Sequence, residues 1–382
     1  MPQPEFDVIV IGAGGMGSAA TYELARRGLS VLALEQFSLV HDRGSSHGHT
    51  RIIRRAYYEH PGYVPLVRRA FERWYDLEQR TGRHLLTECG CLGVGPADGE
   101  VVAGVLASAR EHGLAVEQYD AAGLHDRFPQ FRFGDGYAAV LERDAGFLYV
   151  EDCVRAHLDA AWALGAAIHA EEPVTGWGAD GTGVTVTTTK GTYHAARLVL
   201  TAGPWSSELL AARGAALRVM RQTMLWFGPT DPGRFRRDVF PIFLAEVPDG
   251  PFYGLPAVDG RGVKVARHYG AAEQTSPADL DREPRPADGD TVRRFLTTHL
   301  PAAAGPLTDA RTCIYTLTPD RHFLIDRHPD LEQVAVAAGF SGHGFKFAPV
   351  VGEILADLAE SGTTKWDIGM FRFERFGAPG SN

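Results

Sequence analysis

Residues 5–35, EFDVIVIGAGGMGSAATYELARRGLSVLALE, set a strand, a glycine-rich turn, a helix and a second strand in fixed register. Val8, Ile9, Val10 and Ile11 form a short β-branched run suited to a buried parallel strand. Gly12, Gly14 and Gly17 follow at G-x-G-x-x-G spacing, then a helical pattern through Ala19, Ala20, Tyr22, Leu24 and Ala25 that stops at Gly28. Gly12 permits a tight turn, Gly14 lets the backbone approach a pyrophosphate, and Gly17 lets helix and strand pack closely. The pyrophosphate would meet free N–H groups at the positive end of the helix. A second apolar strand ends in Glu35, close to the ~20-residue distance expected of an acid that bonds ribose hydroxyls. The unit predicts a dinucleotide-binding domain and leaves FAD and NAD equally open.

A chain of 382 residues is too long for one simple core and predicts about two domains. With 45% hydrophobic and 22% charged residues it reads as an ordinary soluble globular protein. A net charge of −9 offers no electrostatic footprint for nucleic acid or an anionic membrane. The apolar runs fall short of the ~20 residues of a transmembrane helix. The first strand starts close to Met1, so no signal or transit peptide is expected. Cys89, Cys91, Cys153 and Cys313 are too few and scattered for a disulfide framework, and a reducing cytoplasm is the expectation. Cys89-x-Cys91 lacks zinc-site spacing and a second pair, so no metal is expected; both cysteines read as small residues of a strand around 90–94.

Amphipathic helices are predicted over 61–80, 99–113 and 153–164. Between 166 and 202 the pattern changes to short strands, AAIHA, PVTGWGA, GVTVTTTK, GTYHAA and RLVLTAG, read as an antiparallel meander returning into a parallel sheet. Further strands fill 216–330, with a polar surface loop over 270–290; a buried strand at 334–339 and a helix at 349–361 close the pattern. An apolar strand feeding a glycine-rich turn and helix thus occurs near both ends. The fold class predicted is α/β (α+β). A Rossmann-like domain would be assembled from 1–85, 150–215 and 320–382, with a substrate domain of mixed or antiparallel β-sheet from 86–149 and 216–319.

Four further clusters carry chemistry. In GSSHGHTRIIR (44–54), Arg51 and Arg54 would point different ways in an extended segment and share a face in a helical turn. Either arginine could grip a carboxylate with its guanidinium fork, or join Arg55 in a solvated basic surface. His47-x-His49 lacks a third ligand for a metal. After Phe252-Tyr253-Gly254-Leu255-Pro256, Lys264 sits in an alternating strand, as a solvent-facing edge lysine or as a fixed charge beside a cofactor. Cys313-Ile314-Tyr315-Thr316 precedes a strand carrying Asp326; a lone cysteine reads first as a buried small hydrophobe. In GFSGHGFKF (339–347), Gly339, Gly342 and Gly344 offer backbone N–H groups and close approach to a flat ligand. Lys346 between two phenylalanines is harder to explain as surface.

Together GAGGMG, GSSHGHTRIIR, YVPLVRRA, FYGLP, the Lys264/His268 strand, CIYT and GFSGHGFKF resemble the monomeric sarcosine oxidase and N-methyltryptophan oxidase family of D-amino-acid-oxidase-like flavoenzymes. The resemblance runs in order from Phe6 to about Phe371. It implies FAD, held covalently through a thioether to Cys313, in a cytoplasmic, monomeric oxidase. Its substrate would be an N-methyl amino acid such as sarcosine, oxidised by hydride transfer with dioxygen as the second substrate, giving the amino acid, formaldehyde and hydrogen peroxide. A cyclic imino acid such as pipecolate or proline, or a dehydrogenase of the same superfamily, is the alternative. Arg54 and Lys346 would pair with the substrate carboxylate, Arg51 and His47 would lie beside the flavin, and Lys264 would activate dioxygen. Tyr253, His268, Tyr315 and Gly342 would shape the substrate cavity. Gly12, Gly14, Gly17 and Glu35 would hold the adenosine end, with Gly342, Gly344 and Lys346 also near the cofactor. Two positions depart from the family pattern: Ser46 stands where histidine is common, and His49 where aspartate is common. Both adjoin the flavin-facing loop, where they bear on flavin tuning.

Overall fold

The computed structural model describes residues 5–210, 216–269 and 276–377. Strand β1 (Phe6–Ile11), helix α1 (Gly15–Arg26) and strand β2 (Val31–Leu34) form the expected unit. Side-chain alternation divides β1 between two cores. Val8 and Val10 pack beneath α1 and the helices Val64–Thr81 and Ala348–Ser361, whereas Ile9 and Ile11 face Val184 and Val186 of the meander. A strand buried on both faces explains the unbroken β-branched run.

In the parallel sheet β1 lies between β2 and Thr192–Leu200. Leu331–Ala338 extends it on one side and Ala167–His169 on the other. Two expectations for 166–202 need correction. AAIHA does not join the meander but pairs in parallel with β2. GTYHAA and RLVLTAG are one strand, Thr192–Leu200, whose first half pairs antiparallel with Gly183–Thr188 and whose second half pairs with β1. A single extended run can serve both neighbours because its N-terminal residues are partly exposed while Leu198, Val199 and Leu200 are fully buried.

The second large sheet is mixed, in the order Leu307–Leu317, Arg218–Phe227, Val263–Arg267, Gly250–Leu255, Ile242–Val247, Cys91–Pro96, Tyr137–Glu142 and Glu117–Asp120. Its register sets Gln222 opposite Cys313 and Trp226 opposite Lys264, which brings residues distant in sequence to one wall. A three-stranded sheet of Thr50–Ile53, Gly146–Tyr149 and Leu86–Glu88 ties the segment before residue 85 to the segment after it.

The helices Val64–Thr81, Glu100–His112, Val150–Ala163 and Ala348–Ser361 occupy the expected stretches, the first preceded by a 3-10 turn over Pro61–Tyr63. The polar stretch 270–290 is only in part a loop: residues 270–275 lie outside the described residues, and a helix, Pro286–His299, begins within it. That helix starts on Pro286, with the Asp288 carboxylate accepting the Arg285 N–H at 2.8 Å, and it buries Val292, Phe295 and Leu296. Cys91 opens its strand, but Cys89 precedes it, ahead of a left-handed Gly90 (φ 81°). All four cysteines are free thiols. Among the described residues no cluster of three or more His, Cys, Asp or Glu could hold a metal ion, and no helix is long and apolar enough to cross a membrane.

Candidate active site

A single cleft of about 2100 Å³, counting its open mouth, runs from the glycine turn after β1 to Lys346. At the first end Gly12 has φ 89°, a conformation that favours glycine. A Cβ on Gly17 would stand 1.7 Å from the Gly12 carbonyl oxygen, so only glycine allows α1 to cross β1 this closely. A Cβ on Gly14 would meet nothing within 4 Å, because that position faces the cleft. Gly14→Ala is therefore expected to leave the melting temperature of cofactor-free protein unchanged while lowering the fraction of protein that takes up flavin, whereas Gly17→Ala should prevent folding. Comparing thermal melts with bound-flavin absorbance checks both.

Glu35 lines the cleft and also fixes the turn. Its Oε2 accepts the Ala13 N–H at 3.0 Å, and its Oε1 accepts the Phe37 N–H at 3.1 Å and lies 3.2 Å from His41 Nε2. Ser46, one of the two unusual positions, accepts the Gly15 N–H through Oγ at 3.2 Å and so belongs to the same turn.

Midway, Cys313 is buried (2% exposed) and borders the cleft. Arg51 donates through Nη2 to the Ser45 carbonyl at 2.8 Å and lies 3.5 Å from Cys313 Sγ. Burial pushes the thiol up, but His47 and the Arg51 guanidinium beside it prevail and lower it to about 6.

Lys264 is 1% exposed and stands behind the cleft wall. Its Nζ donates to the carbonyls of Gly48 at 2.8 Å and Thr50 at 2.9 Å, and lies 5.1 Å from the centre of the Trp226 ring. Burial, then repulsion from Arg51, holds its pKa well below the ordinary lysine value. The turn that grips it is left-handed at both Gly48 (φ 89°) and His49 (φ 72°), and both N–H groups donate to the Glu151 carboxylate. The His49 side chain turns outward to Asp259, 3.2 Å away.

At the far end Arg51 lies within the strand Thr50–Ile53 and Arg54 follows it; both nonetheless reach the cleft. Arg54 is 3% exposed; it meets Glu59 Oε2 at 2.5 Å and stacks 4.2 Å above Tyr57 and 4.7 Å from Tyr58. Lys346 Nζ donates to the His343 carbonyl at 2.5 Å and to the Tyr57 hydroxyl at 3.3 Å. Burial and the nearby Arg54 push Lys346 down to about 7. Burial raises Glu59, but Arg54 overrides it and brings the carboxyl to about 2. Two cations facing one carboxylate leave room, in charge terms, for one anionic ligand.

The walls beside this end are neutral. Burial lowers His268 to about 3, and its Nδ1 lies 3.2 Å from the Tyr315 hydroxyl. Burial raises Tyr253 to about 12 and Tyr315 well above the ordinary phenol value, so both keep their protons as donors. Gly342 (φ 81°) admits the Tyr315 ring, which a Cβ there would meet at 2.4 Å. Gly344 likewise lies against Phe340.

Of the residues singled out from sequence, Gly12, Gly14, Glu35, Arg51, Arg54, Tyr253, His268, Cys313, Tyr315, Gly342, Gly344 and Lys346 line this one cleft. Gly17, His47 and Lys264 lie behind its wall. Asp326 is elsewhere, accepting the N–H groups of Arg327 and Phe373. Sequence reasoning missed Glu59 and Tyr57, although both follow closely on Arg54.

The profile of the FAD-dependent oxidoreductase family matches residues 7–358, and the chain belongs to that family. Within it the chain is 44% identical to the monomeric sarcosine oxidase of Streptomyces avermitilis, over 98% of this chain and 99% of the relative. It is 39% identical to the N-methyl-L-tryptophan oxidase of Salmonella arizonae, over 97% and 99% of the two chains. NikD, an unusual amino acid oxidase essential for nikkomycin biosynthesis, superposes with a TM-score of 0.84 at 28% identity, covering 97% of this chain and 98% of its own. L-proline dehydrogenase from P. horikoshii gives a TM-score of 0.84 over 98% of each chain, at 22% identity, a likeness of fold alone.

Proposed function

We propose that this enzyme oxidises N-methyl amino acids, sarcosine among them: sarcosine, water and dioxygen yield glycine, formaldehyde and hydrogen peroxide. The observation that carries the reading is the order of groups along one cleft, from glycine turn to low-pKa thiol to paired cations. FAD fits it: the glycine turn leaves space at Gly14 for a pyrophosphate, and the N-terminus of α1 points at that space. When bound, FAD supplies the two-electron acceptor and the route to dioxygen. Arg54 and Lys346 hold the substrate carboxylate and orient the N-methyl group, at the near-attack distance of about 3–3.5 Å that such alignment requires. His268, Tyr253 and Tyr315 surround the amine with neutral groups, and the adjacent cations favour its uncharged form. Lys264, acting through its remaining N–H, stabilises charge developing on dioxygen.

Cys313, already inclined to its thiolate at neutral pH, is the group that would tether the flavin. The parent protein is expected to stay yellow after acid precipitation, and Cys313→Ser to release its colour to the supernatant. A colourless parent precipitate removes the tether. The division into an FAD domain and an inserted substrate domain, a cytoplasmic location and a monomeric state complete the proposal. Oxygen uptake and peroxide release with sarcosine, N-methyltryptophan, pipecolate and proline test the substrate. Preference for a cyclic imino acid would replace the N-methyl reading, and bleaching of the flavin without oxygen uptake would replace the oxidase reading.

A further inference from the structure

Tyr57 touches both cations at the far end of the cleft, yet does not itself line it. Its ring lies under the Arg54 guanidinium at 4.2 Å, and its hydroxyl is 3.3 Å from Lys346 Nζ. The side chain is fully buried, wedged by Tyr63 with ring centres 4.6 Å apart and by the edge of Phe347 at 5.3 Å.

The hydrogen bonds behind it fix which way the hydroxyl points. His343 Nε2 lies 3.0 Å from the Arg321 carbonyl oxygen, which can only accept, so Nε2 carries the proton. Burial lowers His343 to about 4, so at neutral pH the ring is uncharged and Nδ1 is an acceptor. Tyr57 stands 2.6 Å from that Nδ1 and 3.3 Å from the His343 carbonyl; the shorter contact takes its one proton. The phenol oxygen then offers its lone pairs to Lys346. Donation thus runs in one direction, from Lys346 to Tyr57 to His343 to the Arg321 carbonyl.

We propose that Tyr57 is a positioning residue for carboxylate capture: its ring holds Arg54 and its hydroxyl holds Lys346, so that one rigid side chain sets the spacing of the two cations. This rests on the assignment of Arg54 and Lys346 as the carboxylate clamp. An acceptor at Lys346 also favours the ammonium form, which burial and Arg54 disfavour. Carboxylate affinity of the parent enzyme should therefore be full below pH about 7 and decline above it, where the free enzyme loses the Lys346 proton.

The test titrates yellow holoenzyme with acetate, read through the visible flavin band, because acetate has no amine to titrate. Tyr57→Phe keeps the ring and removes the hydroxyl. It should weaken acetate about tenfold, as loss of a hydrogen bond to a charged group does, and move the decline to lower pH. The KM for sarcosine should rise in parallel, with the limiting rate of anaerobic flavin bleaching within about twofold of the parent. Tyr57→Leu, lacking ring and hydroxyl, should weaken acetate about a hundredfold. Should the Tyr57→Leu protein not fold, His343→Leu keeps Tyr57 but removes the acceptor of its hydroxyl proton, and should give a smaller shift of the pH profile in the same direction. Parent-like acetate affinity and pH profile in Tyr57→Phe overturns the proposal. So does a fall in bleaching rate at saturating sarcosine with unchanged acetate binding. If sarcosine fails to bleach even the parent, the substrate reading fails, while the acetate titrations still decide the role of Tyr57.

Discussion

Arg54→Met is expected to lower kcat/KM for sarcosine about a thousandfold. The guanidinium is almost fully buried and pairs with Glu59, so its loss acts twice. Removing one partner of a buried ion pair destabilises by ~3–5 kcal/mol, because the other charge is left uncompensated. A buried hydrogen-bonded pair to a ligand carboxylate is itself worth ~2–5 kcal/mol when truncated. The two effects separate in a double variant. Arg54→Met with Glu59→Gln should recover most of the lost melting temperature, since no unpaired carboxylate remains, but none of the activity. Anaerobic flavin bleaching against sarcosine concentration, with thermal melts of both variants, makes the measurement. Parent-like bleaching in Arg54→Met would remove this residue from the clamp.

Lys264→Met should slow reoxidation of reduced enzyme by dioxygen at least a hundredfold, while anaerobic reduction by substrate changes less than about threefold. Removal of one preorganised donor from a dry site costs about 2.7–4 kcal/mol of barrier in comparable cases. Two carbonyls, Gly48 and Thr50, hold the ammonium, and among the described residues its third N–H has no hydrogen-bond acceptor. Because burial and Arg51 weaken the hold on the Lys264 proton, reoxidation by the parent should fall as pH rises and that proton is lost. The Met variant should show no such fall. Stopped-flow mixing with oxygenated buffer follows one half-reaction, and mixing with substrate under nitrogen the other. Equal losses in both would assign Lys264 a structural role instead.

The fate of individual residues shows what was legible. The β1–α1–β2 unit was readable because every requirement is local: a β-branched run for a twice-buried strand, glycines where a Cβ would strike backbone, and an acid at the next strand end. The meander was read less well. AAIHA and its neighbours are equally apolar and short, and nothing local says that Ala167–His169 pairs with β2 while Val174–Asp180 pairs with Gly183–Thr188. Glu59 escaped notice because a glutamate after an arginine carries no signal of its own. Its meaning comes from burial against Arg54, which the chain path beyond Thr50–Ile53 creates. Lys264 was left between solvent edge and buried charge, and pairing of its strand with Arg218–Phe227 placed it inside.

By itself the sequence determined the dinucleotide turn, the helices with strong apolar periodicity and the set of residue types able to hold a carboxylate. These follow from steric and periodic rules acting within a few residues. Only the tertiary structure decided that Arg54, Lys346 and Tyr57 meet at one end of a cleft, that Cys313 sits beside Arg51, and that Lys264 lies behind the wall. Those placements depend on strand register between segments far apart in the chain. Long-range pairing brings such groups together, and burial then changes their charge.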